Sequence, residues 1–199
     1  MKKTFFTFLC CIVSFYSYSQ EHIKFNGAVF GQPLNEFIEG FPKPLREDSG
    51  RPPKGYNSNL CNHKLYVMKL NSEWWRCHVF SSRTTNTVFR TVSVIHCITD
   101  LKSKSMLLVK ALEEKYGGGI QEKSDELGEV EFSEFSNREM FALYYYIKNA
   151  QGRTIGEIRI SVAPSSKDAT NGLIELSYTD YSSRDKATKE YNTLMRDAL

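Results

Sequence analysis

From Lys64 to Ile98 apolar residues recur at every second position, from Leu101 to Tyr116 at every third or fourth, and from Met140 to Thr179 the two-residue period returns. Lys64–Leu70, Glu73–Ser81 and Thr87–Ile98 read as a meander of three strands, joined by Asn71-Ser72 and by the segment Ser82–Asn86. Leu101, Ser105, Leu108, Val109, Leu112 and Tyr116 then share one helical stripe, and Gly117 follows as its cap. Strand patterns resume at Glu129–Phe135, Met140–Lys148, Thr154–Val162 and Leu173–Thr179, the last introduced by the turn signal Asn171-Gly172. Arg184–Leu199 closes the chain as an amphipathic helix. Upstream, His22–Phe25 is a short strand, and Leu34–Phe41 a brief helix stopped by Pro42. Residues 42–59 carry Pro42, Pro44, Pro52, Pro53, Gly50 and Gly55 without periodicity and read as a long exposed loop. The order predicts an α+β fold: one antiparallel sheet with helices packed on one face, from a helix-plus-strands unit that occurs twice, in halves of about 20–100 and 101–199 within a single domain.

The first twenty residues set the compartment. Lys2 and Lys3 precede an apolar run from Phe5 to Phe15, and Ser17-Tyr18-Ser19 offers small residues where signal peptidase reads them. Residues 1–19 therefore read as a signal peptide and 20–199 as the mature domain, periplasmic or extracellular. The apolar run is too short for a spanning helix, which needs roughly 20 residues, and nothing downstream reaches that length, so no integral membrane segment is expected after cleavage. Of the formal net charge of +3, two units belong to Lys2 and Lys3. The near-neutral remainder lacks the basic footprint of a nucleic-acid binder.

Cys61, Cys77 and Cys97 each have a histidine close by, as Cys61-Asn62-His63, Cys77-His78 and His96-Cys97. A thiolate beside an imidazole can act as a nucleophile, and mixed Cys/His sets bind zinc, but this spacing fits no zinc pattern. A two-residue loop at Asn71-Ser72 places Tyr66 opposite Cys77 and Leu65 opposite His78. A turn centred near Thr84-Thr85 places Cys77 opposite Val92, which puts Tyr66, Met68, Leu70, Trp75, Cys77, Val79, Val92 and Val94 on one face as core. Cys61 and Cys97 then stand at opposite ends of the meander, about 30 Å apart at roughly 3.3 Å per residue, too far for a disulfide or a shared metal. Gly117-Gly118-Gly119 follows a helix instead of opening one, so it reads as a cap and turn and not as a phosphate cradle. Glu122, Asp125, Glu126, Glu129, Glu131 and Glu134 lack calcium-loop spacing. No cofactor or metal is expected.

The opposite face of the meander holds Leu65, Val67, Trp74, Arg76, His78, Phe80, Phe89, Thr91 and Ile95, which is too apolar for a plain solvated surface. Tyr144 and Tyr146 join it if the strands form one continuous sheet. Trp74, Arg76, His78, Phe80, Tyr144 and Tyr146 are thus the candidate binding residues, a composition typical of protein-binding hot spots. Either this face is open for a partner, or the first helix or the 42–59 loop covers it as secondary core.

Phe25-Asn26-Gly27 through Phe30-Gly31-Gln32-Pro33-Leu34 with Glu36-Phe37-Ile38, then Glu114-Lys115-Tyr116-Gly117, then Ile174–Asp180 together resemble a family of exported, uncharacterised proteins of Bacteroidetes-type bacteria. That family opens with an F-x-G-I-P strand and turn, ends a mid-chain helix in K-Y-G, and finishes with a Y-x-D strand before a helix. This chain departs from the pattern where its first helix breaks at Pro42. The doubled helix-plus-strands unit is similar to the β-lactamase inhibitor protein-like arrangement, and that analogy concerns fold alone. The functional expectation is a non-enzymatic module that binds a protein or another cell-envelope partner through the aromatic sheet face. Two alternatives stand beside it: a hydrolase or transferase built on Cys77 with His63 or His78, and a purely structural envelope protein.

Overall fold

The computed structural model describes residues 22–52, 60–70, 72–121, 141–165 and 170–197. The expected signal peptide of residues 1–19, the acidic stretch from Glu122 to Glu134 and the expected strand Glu129–Phe135 lie outside the described residues. A two-stranded hairpin, β1 (Lys24–Phe25) and β2 (Ala28–Val29), opens the described chain. Its turn residues Asn26 and Gly27 both have positive φ, 49° and 97°, as a tight two-residue hairpin requires. Helix α1 (Leu34–Glu39) follows Pro33 and ends at Gly40. A Cβ on Gly40 would lie 2.7 Å from Ala28 Cα, so the glycine is what lets the hairpin seat against the helix end.

The main sheet contains β3 (Leu45–Asp48), β4 (Asn62–Leu70), β5 (Glu73–Ser81), β6 (Val88–Cys97), β7 (Ile120–Gln121), β8 (Phe141–Lys148), β9 (Thr154–Pro164) and β10 (Gly172–Asp180). Its order is β3-β4-β5-β6-β10-β9-β8-β7, and the pairs are antiparallel. Among the described residues a helix precedes each set of four strands: α1 before β3–β6, and α2 (Leu101–Tyr116) before β7–β10. The unit occurs twice, and the two copies join where β6 meets β10. Helix α3 (Tyr181–Asp197) leaves β10 and lies against β6, β9 and β10. No helix among the described residues is long and apolar enough to cross a membrane.

The core lies on one face of this sheet. Tyr66, Met68, Trp75, Cys77 and Val79 from the first half meet Tyr145, Ile158, Ile160, Val162, Ile174 and Leu176 from the second. Leu101, Val109 and Leu112 of α2 cover the second half, while Phe37 and Phe41 carry aromatic edge contacts from α1 to Tyr66. The helical stripe read from sequence is the buried one, and the Gly117 N–H donates to Glu113 O at 2.9 Å as the expected cap.

Two sequence expectations need correction. The segment 42–59 is not all loop, because Leu45–Asp48 forms the edge strand β3 paired with β4. Its charges, Arg46, Glu47 and Asp48, conceal the strand signal and are what an edge strand tolerates. The second correction concerns β6. Ser81 pairs with Val88, as a turn centred on Thr84-Thr85 demands, but Phe80 pairs with Arg90, leaving Phe89 as one extra residue in a bulge. Beyond it Cys77 faces Ser93 and not Val92. A one-residue shift exchanges the faces of a strand, so Thr91 and Ile95 lie on the core side while Val92 and Val94 join the second face.

Asp180 closes β10 and starts α3. Fully buried, it accepts from Ser183 N (2.9 Å), Ser183 Oγ (2.7 Å), Ile23 N (3.0 Å) and His22 Nδ1 (2.9 Å). It is an N-cap that also ties the first described residues to the last strand. Gly31 makes room for the His22 ring, since a Cβ there would lie 2.6 Å from it. Burial alone would raise the Asp180 carboxyl, but the hydrogen bonds from His22, Ser183 and Ile23 outweigh it and hold it below its ordinary value.

Candidate functional site

Register places all six sequence-chosen residues on the second face. Tyr144 faces Arg159, then Ser177, Val92 and His78 in one row across the sheet. Tyr146 faces Glu157, then Thr179, Arg90 and Phe80 in the next row. Trp74 and Arg76 continue the stripe of β5 because side chains alternate along a strand.

Burial divides the six. Trp74 is 56% exposed, Tyr146 42% exposed and Arg76 exposed, whereas Tyr144 is half-buried. His78, at 7%, and Phe80, at 0%, are covered. Phe80 forms a second apolar cluster with Cys61 and Val92, flanked by Phe89 and Val94. The His63 ring lies 5.1 Å from that of Phe80. Over Leu65 the chain folds back after β3, and a Cβ on Gly50 would be 2.6 Å from Leu65 Cδ2. The lower part of β5 on this face is therefore secondary core, and the upper part is open.

His63 and His78 meet more closely than diagonal placement alone suggests. His63 Nε2 and His78 Nδ1 are 2.9 Å apart, with ring centroids 5.1 Å apart and planes 24° from parallel. The centroid separation exceeds the N···N distance by about one ring width, so the nitrogens lie between rings that meet edge to edge. One nitrogen donates and the other accepts, which means that protonating both facing nitrogens breaks the bond. Burial first, then His63, then Arg76 push His78 down to about 4. Burial also lowers His63.

Charged groups border the aromatics. Arg76 Nη2 lies 3.9 Å from Asp48 Oδ2, and Arg159 Nη1 is 3.4 Å from Glu175 Oε1. The Arg159 guanidinium is 5.7 Å from the centroid of the Tyr144 ring. Tyr181 donates its hydroxyl to Glu157 at 2.8 Å, which brings the start of α3 to the Tyr146 end of the face. Arg159 and Glu175 were not among the residues chosen from sequence, although a charge set between Ile158 and Ile160, or between Ile174 and Leu176, marks a strand position facing away from the core.

The cysteines do not assemble with the histidines into a reactive centre. Cys77 is fully buried on the core face, with the His63–His78 pair on the other face of the sheet. Burial pushes its thiol up to about 12 against a small opposing effect from the Ser93 hydroxyl. Cys61 and Cys97 are also buried free thiols raised chiefly by burial. Native protein at pH 8 is expected to resist iodoacetamide at Cys77 for as long as it stays folded, with stoichiometric alkylation in urea. Rapid native labelling of Cys77, read by peptide mass spectrometry, would contradict this burial. Among the described residues no three His, Cys, Asp or Glu side chains gather as a metal set. No family model, no curated protein and no solved structure matches this chain, so the exposed aromatic and charged residues of the second face carry the functional argument on their own chemistry.

Proposed function

We propose that the protein is a non-enzymatic binding module, exported behind the signal peptide of residues 1–19, that engages a protein or another cell-envelope macromolecule through the second face of its sheet. One observation carries the reading: Trp74 and Tyr146, both exposed, stand on the same face of one continuous sheet. They belong to strands four steps apart, about 19 Å across the sheet at roughly 4.8 Å per step. Trp74 stands six residues along β5 from the Phe80 row that holds Tyr146, about 20 Å at roughly 3.3 Å per residue, so the two are roughly 28 Å apart. Arg76, Glu175, Arg159 and Tyr144 occupy the rows between. A standard interface of about 800 Å² per partner spans such a distance, and aromatic and arginine side chains dominate the energetics of interfaces of that size. His78 and Phe80 support the face from beneath as packed residues, while Trp74, Arg76, Tyr144 and Tyr146 make the contacts.

Capture of a partner from cell-envelope extract by the purified protein tests the assignment. Changing Trp74 and Tyr144 to alanine together is expected to abolish capture while the urea midpoint stays within experimental error. Unaltered capture by the doubly substituted protein would remove this face from consideration.

A further inference from the structure

Between α2 and the core side of the sheet lies a half-open cavity of about 220 Å³. Its floor is Trp75, Ile95 and Ile174, all nearly inaccessible to solvent, and its walls are Leu70, Leu107 and Leu108. Among the described residues, the charged side chains lining it are Glu73 from β5 and Lys104 from α2, and these pair at 2.6 Å. The ion pair therefore links the sheet wall to the helix wall. Leu107 is 69% exposed beside the opening, so the apolar lining continues to the surface. The cavity arises because α2 lies over β8, β9 and β10 while α1 lies toward β4, leaving the Trp75–Ile95 region between the two helices only partly covered.

From this geometry we propose that the cavity is a binding site for a small uncharged apolar molecule or group, of the size of an aromatic ring or a short alkyl chain. Size and chemistry both bear on the choice. An apolar cavity of about 150 Å³ is enough to take up benzene, and this one is larger. The two charges at the described rim are committed to each other, because Lys104 and Glu73 pair. A carboxylate or an ammonium head group would have to separate that pair, whereas an uncharged ligand fills the space and leaves it intact. Burial of the ligand against Trp75, Ile95 and Ile174 supplies the driving force. The site lies on the opposite side of the sheet from Trp74 and Tyr146 and is independent of the function proposed for that face.

Benzene and n-hexanol are the probes, titrated into the full mature protein and followed by calorimetry and by NOEs to the methyl groups of Ile95 and Ile174. Saturable uptake with NOEs to both residues is expected, with hexanoate and hexylammonium at least tenfold weaker. Ala111 of α2 also lines the cavity, and substituting Ala111→Phe, which fills it from the helix side, is expected to weaken benzene at least tenfold. The NOEs come from unaltered protein, so the assignment does not depend on that variant folding. Absence of saturable binding, NOEs confined to other methyl groups, or equal affinity for hexanoate and hexanol would each overturn the proposal.

Discussion

Asp180→Ala is expected to cost about 3–5 kcal/mol at neutral pH, the range for removing one partner of a buried, hydrogen-bonded charge. The carboxylate is fully buried and serves four donors: the His22 ring, the Ile23 and Ser183 backbone N–H groups and the Ser183 hydroxyl. Truncation strands two backbone donors in a site sealed from water, and α3 loses its N-cap at the same moment. Asp180→Asn keeps the shape and one acceptor oxygen but turns an amide toward donors, so about half the loss should remain. His22→Ala should cost only about 1 kcal/mol, because that ring is partly exposed and its bond is one of four. Urea unfolding of the three variants checks the order. Equal midpoints for Asp180→Ala and the parent protein would mean that the N-terminal hairpin does not depend on this carboxylate.

Acidification from pH 7 to pH 4 should remove about 3 kcal/mol through the buried histidine pair, before Asp180 is protonated. His78 titrates at about 4 when folded against an ordinary 6.5, for burial disfavours its charged form and His63 and Arg76 add to the effect. The unfolded chain therefore takes up a proton that the folded protein refuses. This contribution is fully present above pH 6.5 and is lost as the pH falls toward 4. His63 is shifted in the same direction and steepens the decline. Asp180, lowered in the folded state, acts in a separate window: its stabilisation is present above the ordinary carboxylate value and disappears as the pH falls through its folded value. His78→Asn places a carbonyl oxygen near the position of Nδ1 and should flatten the dependence between pH 6.5 and 4. An unchanged slope in that variant would locate the acid sensitivity elsewhere.

Architecture was legible where one physical signal dominated. The period of Leu101–Tyr116 located α2, and Asn71-Ser72 set the β4–β5 register that pairs Tyr66 with Cys77. Asn26-Gly27 turned a hairpin as its composition requires. The failures share a cause as well. Phe89 is as good a strand residue as its neighbours, so nothing in its type announces a bulge, yet it reverses the parity of β6. Leu45–Asp48 is an edge strand whose charged side chains, Arg46, Glu47 and Asp48, read as loop although Glu47 and Asp48 pair with Lys64 and Arg76 across the sheet. At the candidate site, alternation was sufficient to put Trp74, Arg76, His78, Phe80, Tyr144 and Tyr146 on one face. Which of them reach solvent was not legible, because burial of His78 and Phe80 depends on His63 and on the Phe89 cluster, residues brought there by tertiary structure.

Among the described residues, every strand pair in the main sheet joins strands consecutive in the chain, with one exception: β6 with β10. Locality of contacts sets how much chain entropy must be surrendered before pairing returns any free energy. The β4–β5 and β5–β6 connections are short and the one from Gln121 to Phe141 spans about twenty residues, while the β6–β10 seam, from Cys97 to Gly172, closes roughly seventy-five residues at once. The largest single loop-closure cost in building this sheet thereby falls on one line of hydrogen bonds. Assembly of this chain is in essence the docking of two half-sheets along that line, and Leu176 and Ile174, facing Ser93 and Ile95 across it, are the side chains that reward the closure.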